Sequence, residues 1–325
     1  MTNKELEIKE RNLALEAVRV TEAAALSSSR WIGLGDEKKA DAAAVKAMRN
    51  SLNNLDISGE VVIGEGERDK APMLYIGEKV GNGKGPEVDI ALDPLEGTTI
   101  CATGGNNALT VIAFSSKGGF LNAPDVYMDK IAIGGGLPKD IIDLDETPKK
   151  NLENLALAKK TDINNLVVCV LDRPRHKDII SSCREAGVRI ILIPDGDVSG
   201  IIATSNPNSG IDMYIGIGGA PEGVLAAAAL RCMGGQMQAR LKFNHEYEIE
   251  RANKLGITDL DKKYLLRDLA SGDAMFAATG VTDGSMLKGV RVVEDKAYTE
   301  SIVMRSVSGT VRTITAAHNL LIKPN

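Results

Sequence analysis

From residue 165 onward the chain repeats one arrangement three times: a short apolar run, a turn, and a stretch of helical periodicity. NLVVCVL (165–171) precedes DRPRHKDIISSCREAG, VRIILIP (188–194) precedes DGDVSGIIATS, and IDMYIGIG (211–218) precedes PEGVLAAAALRCMGG. Parallel strands need a long crossover, because a tight turn can only send the chain back antiparallel. Three strand–helix units in succession therefore predict parallel strands joined by helices, and an α/β fold. In such sheets ligands gather beyond the carboxyl ends of the strands. Those ends carry Asp172-Arg173-Pro174-Arg175, Asp195-Gly196-Asp197 and Gly218-Gly219-Ala220-Pro221-Glu222.

The first half reads differently. Leu6, Leu13, Ala17, Val20 and Ala24 recur at helical spacing, predicting a helix over 5–30, and Asp36 is an N-cap for a second helix running to about Leu55. Strand-like runs follow at Glu60–Gly64, Val88–Leu92, Ala108–Phe114 and Lys130–Ile133, and again in the tail at Ser301–Met304 and Gly309–Thr315. The expected organisation is one continuous catalytic unit with an α+β half, 1–160, and an α/β half, 161–325. Only 3% of the 325 residues are aromatic, so the core must be built from Ala, Val, Ile and Leu. A net charge of -5 gives no footprint for nucleic acid. The longest apolar run, Val224 to Leu230, falls short of the roughly 20 residues that a membrane span needs. The charged amphipathic N-terminus has no signal-peptide core, and the four cysteines are scattered with no CxxC, so reduced thiols in the cytoplasm are expected.

LDPLEGTTI (92–100) is the motif that carries chemistry. Alternation along VDIALDP sets Val88, Ile90 and Leu92 on one face; Pro94 is expected to stop the strand, leaving Asp93 at its end and Glu96 in the turn. Two carboxylates held close repel unless a cation sits between them, and oxygen donors suit Mg²⁺ or Mn²⁺. Gly97 would let backbone N–H groups approach an anion, with the Thr98 hydroxyl beside it. The plain alternative is a surface turn. Asp41 shares a helix face with Ala44, Val45 and Met48, where an acid needs a partner. The alternatives are a metal, a salt bridge, or a place at the solvent-facing edge of the helix. Glu65 stands between Gly64 and Gly66 just after an apolar strand, as a metal ligand or in a charged turn. Glu222 opens a helix, where it also suits the helix dipole. With three histidines, no HExxH and no clustered cysteines, zinc is excluded. Arg173 and Arg175 around Pro174 make a plausible phosphate clamp, and Asp195 and Asp197 could bind sugar hydroxyls. IGIGGAPEG imitates a dinucleotide fingerprint only weakly, since Pro221 stands where a glycine is required.

DPLEGT resembles the metal-binding signature of the inositol monophosphatase and fructose-1,6-bisphosphatase superfamily. Together with WIGLGDEKKADAAAV, VVIGEGERDKAPMLYIGE, NAPDVYMDK, RPRH, IPDGDV and GIGGAPEG, in that order, the chain resembles the class II fructose-1,6-bisphosphatases of the GlpX type over essentially its whole length. The resemblance implies a layered α-β-α-β-α sandwich of the sugar phosphatase type. It implies metal ligands at Asp41, Glu65, Asp93, Glu96 and Glu222, holding two or more Mg²⁺ or Mn²⁺ ions. It implies substrate contacts at Glu96, Gly97, Thr98, Tyr127, Arg173, Pro174, Arg175, Asp195, Gly196, Asp197 and Gly219. Arg173 keeps the charge of a lysine common in the family, whereas Leu34 stands where a basic residue is frequent. The implied reaction is hydrolysis of the 1-phosphate of fructose 1,6-bisphosphate by a metal-activated water, with Thr98, Asp93 and Glu96 as the catalytic group. A cytoplasmic homo-oligomer, dimer or tetramer, is expected by the same analogy. The alternatives are a sedoheptulose-1,7-bisphosphatase or inositol phosphatase, and a sugar-phosphate sensor without activity.

Overall fold

The computed structural model describes residues 3–64 and 74–322, with side chains from residue 13 onward. Its contacts divide the chain into two compact units, Met1–Phe120 with Gly272–Asn325, and Leu121–Ser271. The expected division at residue 160 lies elsewhere than this one. The tail returns to the first unit because its strands pair there.

The first unit opens with α1 (Asn3–Ser28), which passes through a short 3₁₀ turn, and α2 (Glu37–Asn53). Asp36 caps α2 as expected, its carboxylate accepting the Lys39 N–H at 3.0 Å. Ala17, Ala24, Ala40 and Ala44 are fully buried, so the two helices approach closely through residues without bulk. Then come β1 (Ser58–Ile63), β2 (Lys79–Val80), β3 (Glu87–Glu96), α3 (Thr98–Thr103) and β4 (Leu109–Ser116).

The second unit contains β5 (Tyr127–Ile133), α4 (Pro148–Lys159), β6 (Val167–Leu171), α5 (Lys177–Glu185), β7 (Arg189–Ile193), α6 (Asp197–Ala203), β8 (Met213–Gly219), α7 (Ala220–Met233), β9 (Gln236–Lys242), α8 (Glu246–Lys254), β10 (Tyr264–Leu265) and α9 (Leu266–Leu269). Its sheet has the order β10-β9-β5-β8-β6-β7. The three predicted strand–helix units are present: β6 lies parallel to both β7 and β8. Beyond β8 the sheet turns antiparallel through β5 and β9. Ile131, Ile133, Leu155, Val168, Val170 and Met213 form its core. β7 departs from its apolar sequence. None of its five residues is buried, because it is the last strand of the sheet.

The chain then returns with β11 (Met275–Gly280), β12 (Arg291–Val293), β13 (Lys296–Arg305) and β14 (Thr310–Asn319). β11 pairs with both β4 and β13, giving an eight-stranded sheet ordered β12-β13-β11-β4-β3-β1-β2 with β14 on β13. α1 is fastened to it by polar groups as well as by its alanines. The Thr21 hydroxyl meets Thr279 Oγ1 at 2.7 Å, and Thr110 Oγ1 donates to the Thr21 carbonyl at 2.9 Å. Each unit is thus a mixed sheet with helices, as the α/β expectation requires. Among the described residues, no helix is long and apolar enough to cross a membrane.

Candidate active site

The first unit holds the LDPLEGTTI motif at the end of β3. Pro94 does not stop this strand: β3 runs through it to Glu96. Register explains why. Asp93 faces Val111 on β4 and Glu96 faces Leu109, so β3 spends one extra residue there as a bulge. On its other side β3 is paired with β1 only as far as Ala91. The missing proline N–H falls where no ladder bond is due.

The bulge has a chemical result. Strand alternation alone would put Asp93 and Glu96 on opposite faces, but the extra residue brings their carboxylate oxygens within 4.8 Å of one another. Asp93 Oδ1 also accepts the Leu95 N–H at 3.0 Å, which fixes its rotamer. Glu96 is 5% exposed and Asp93 half-buried. An oxygen pair at this spacing can hold a hard divalent cation. Gly97 follows in the left-handed region at φ 85° and caps α3, where a non-glycine residue would be strained. Thr98 is the first residue of α3 and remains partly exposed. Asp41 sits half-buried on α2, which packs against α3, on the face with Ala44, Val45 and Met48. It does not join the close pair of Asp93 and Glu96. Glu65 lies outside the described residues. Leu34 is 64% exposed.

The second unit holds the remaining candidates, and they lie at the ends of neighbouring strands. Tyr127 begins β5, and the Arg175 guanidinium lies over its ring at 4.8 Å. Arg175 Nε donates to the Ile217 carbonyl at 2.9 Å, leaving the fork of this exposed side chain directed by one backbone bond and one aromatic face. Pro174 starts a 3₁₀ turn between the two arginines. Arg173 reaches Asp195 at 3.9 Å, with both side chains over a third exposed, so this contact holds the loop only loosely. Gly196, at φ 81°, caps α6 and turns the chain so that Asp197 points inward.

Asp197 is only 4% exposed. Its Oδ2 lies 2.6 Å from the Lys130 ammonium and accepts the Tyr214 hydroxyl at 3.1 Å. Lys130 Nζ donates also to the Gly219 carbonyl at 2.8 Å. Burial first, and the Asp197 charge second, push the Tyr214 phenol well above its ordinary range, so it stays protonated and donates. The glycines of IGIGG make the room. A Cβ on Gly218 would stand 2.0 Å from Asp197 Oδ2, and one on Gly219 would stand 1.9 Å from Glu222 Oε2. Glu222 in the first turn of α7 therefore folds back over the cap residue Gly219. His176 is fully buried beneath these strands, with Nε2 accepting the Ile217 N–H at 2.7 Å. Burial, then the Arg175 charge, lower its pKa, so it is neutral with its proton on Nδ1.

Lys130, Tyr214 and His176 escaped the sequence reading. The available signal was parity: Lys130 shares a strand face with Met128 and Ala132, all three fully buried. A lysine there needs a buried acid.

The family model for bacterial fructose-1,6-bisphosphatase, glpX-encoded, matches residues 11–318. The chain belongs to this family. It is 47% identical over 324 residues to the fructose-1,6-bisphosphatase 1 class 2 of Escherichia coli (strain K12), covering 95% of this chain and 96% of that one. The fructose-1,6-bisphosphatase class 2 of Shigella flexneri is similar to the same extent. The fold class expected from the sequence thus agrees with the family, and the likeness extends through the tail beyond residue 240, where diagnostic motifs are few.

Proposed function

We propose that this chain hydrolyses the 1-phosphate of fructose 1,6-bisphosphate, giving fructose 6-phosphate and phosphate, as a step of gluconeogenesis in the cytoplasm. The observation that carries the proposal is full-length similarity to class 2 fructose-1,6-bisphosphatases. The Asp93–Glu96 pair adds a reason internal to the fold, since a bulge aims two carboxylates at one point.

Asp41, Glu65, Asp93, Glu96 and Glu222 would hold two or more Mg²⁺ or Mn²⁺ ions, and the all-oxygen donor set fits those cations. Bound there, the ions supply neutralisation of the 1-phosphate, a water of lowered pKa and stabilisation of the leaving alkoxide. Thr98 orients the attacking water and relays its proton, passing its own hydroxyl proton to a carboxylate such as Glu96, two residues earlier at the end of β3. Gly97 and the first amides of α3 face the phosphate oxygens. Arg173 and Arg175 grip the distal 6-phosphate, with Pro174 holding their separation and Tyr127 backing Arg175. Asp195, Gly196, Asp197 and Gly219 form the wall against the sugar. Among the described residues no side chain is marked as an activated nucleophile, and the phosphoryl group passes directly to water.

The test is phosphate release from fructose 1,6-bisphosphate with Mg²⁺, with Mn²⁺ and with EDTA. Metal-dependent release supports the reading. No release with either metal refutes it, and so does release that survives EDTA. The homo-oligomer expected by family analogy belongs to the same proposal, and light scattering of the purified protein checks it.

A further inference from the structure

Lys130 takes no part in the chemistry above, yet it is the only lysine among the described residues with a fully buried side chain. An ammonium and a carboxylate taken from water lose hydration that their mutual attraction barely returns, and an apolar pair of the same volume is often as stable. Stability alone therefore gives no reason for a lysine inside β5. Its contacts give one. Nζ binds the Asp197 carboxylate at 2.6 Å and the Gly219 carbonyl at 2.8 Å, joining the α6 loop to the end of β8. Both loops supply the proposed sugar-facing wall, and Tyr127, which backs Arg175, is three residues earlier on the lysine's own strand.

One glycine makes room for this ion pair. A Cβ on Gly218 would stand 2.0 Å from Asp197 Oδ2 and 2.8 Å from Nζ. Tyr214 completes the seat by donating to the same Asp197 oxygen. The acceptors around the ammonium are thus a side chain and a backbone carbonyl on two different elements. Such a tie fixes a distance between loops, which packing alone would leave adjustable.

We propose that Lys130 is a positioning residue for substrate binding: its buried ammonium sets the spacing between the Asp195–Asp197 loop and Gly219. This rests on the phosphatase reading above. Lys130→Met removes the charge but keeps most of the volume. The expected result is a KM for fructose 1,6-bisphosphate raised at least tenfold while kcat at saturation falls less than threefold. Tyr214→Phe is the control for a merely structural role, since it weakens the same cluster without cutting the tie to Gly219; it should lower the melting midpoint and leave KM within twofold. If Lys130→Met fails to fold, Lys130→Arg keeps the charge with a planar, longer head that cannot reproduce both contacts, and KM should again rise at least tenfold. A folded variant, Met or Arg, whose KM stays within twofold of wild type overturns the inference while wild-type activity leaves the phosphatase reading standing. A wild-type protein that releases no phosphate overturns both.

Discussion

Replacing Gly218 by alanine tests whether the buried cluster is seated as tightly as its distances imply. The new Cβ would stand 2.0 Å from Asp197 Oδ2 and 2.8 Å from Lys130 Nζ, inside contact distance for either. Neither atom is free to swing away, since both residues are buried and hold one another at 2.6 Å. The methyl group fits only if the pair parts or the end of β8 moves. Overpacking a tight interior costs about 1–3 kcal/mol. Separating a buried ion pair costs about 3–5 kcal/mol, because each charge is left without its partner. The expected loss is at the upper figure, about 3–5 kcal/mol. At about 2–4 °C per kcal/mol for a domain of this size, the melting midpoint falls by about 6–20 °C. Gly216→Ala is the matched comparison on the same strand, where the Cβ would meet His176 Nε2 at 3.1 Å and the Tyr214 hydroxyl at 3.4 Å. A shift of a few tenths of an ångström relieves that contact, so about 1 kcal/mol is expected. Differential scanning calorimetry of both variants decides the matter. If Gly218→Ala melts within about 2 °C of Gly216→Ala, the ion pair yields easily and the reasoning from its geometry is refuted.

Arg175→Ala should raise KM for the bisphosphate by about 10–100-fold, the worth of a charge-assisted bond to phosphate; an unchanged KM would move the distal phosphate elsewhere. Thr98→Ala should cut kcat by about 10²-fold or more while substrate still binds, and undiminished turnover removes Thr98 from the chemistry. His176 is held neutral by burial, so its folded pKa lies below its unfolded one. Stability should therefore be full above about pH 6.5 and decline as pH falls below that value. His176→Gln keeps an acceptor for the Ile217 N–H without titrating. If its melting midpoint depends on pH as steeply as the wild type's between pH 7 and 5, another group is responsible. All four cysteines are buried thiols outside any disulfide, and burial pushes the Cys169 thiol up to about 12. Folded protein should react with a thiol reagent far more slowly than urea-unfolded protein, and equal rates would contradict this.

What could be read from the sequence was local. The N-cap at Asp36 and the periodicity of α2 depend on residues a few positions apart, and the three strand–helix units repeat within one stretch. What escaped depends on distant partners. Whether Pro94 ends a strand turns on which neighbour would have needed its N–H, and β4 answers that only through its register. The apolar β7 reads as interior, but it is the sixth strand of its sheet and nothing in its own residues says so. The tail's return to the first unit follows from β11 lying between β4 and β13, a pairing across more than 150 residues of sequence. Of the candidate site, the residue types at strand ends were legible, and so was the presence of two acids, Asp93 and Glu96, in one short motif, whose carboxylates lie within 4.8 Å of one another. Their geometry came from a bulge that alternation does not predict.

The string IGIGG shows how one sequence pattern can have two physical causes. Glycines in series let a backbone come close to something, and a bound pyrophosphate is one such thing. Here the protein's own polar groups occupy the space: His176 against Gly216, the Asp197–Lys130 pair against Gly218, and Glu222 against Gly219. The space is therefore closed to a dinucleotide, and the weak fingerprint is accounted for by packing. Of the candidate contact residues in the second unit, Tyr127 and Arg175 are exposed and Arg173 is partly so, whereas Asp197 is buried. Two cations at these strand ends suit an anionic group such as a phosphate. The buried Lys130–Asp197 pair joins the α6 loop to the end of β8, so on the reading proposed above Lys130→Met should register in KM before it registers in turnover.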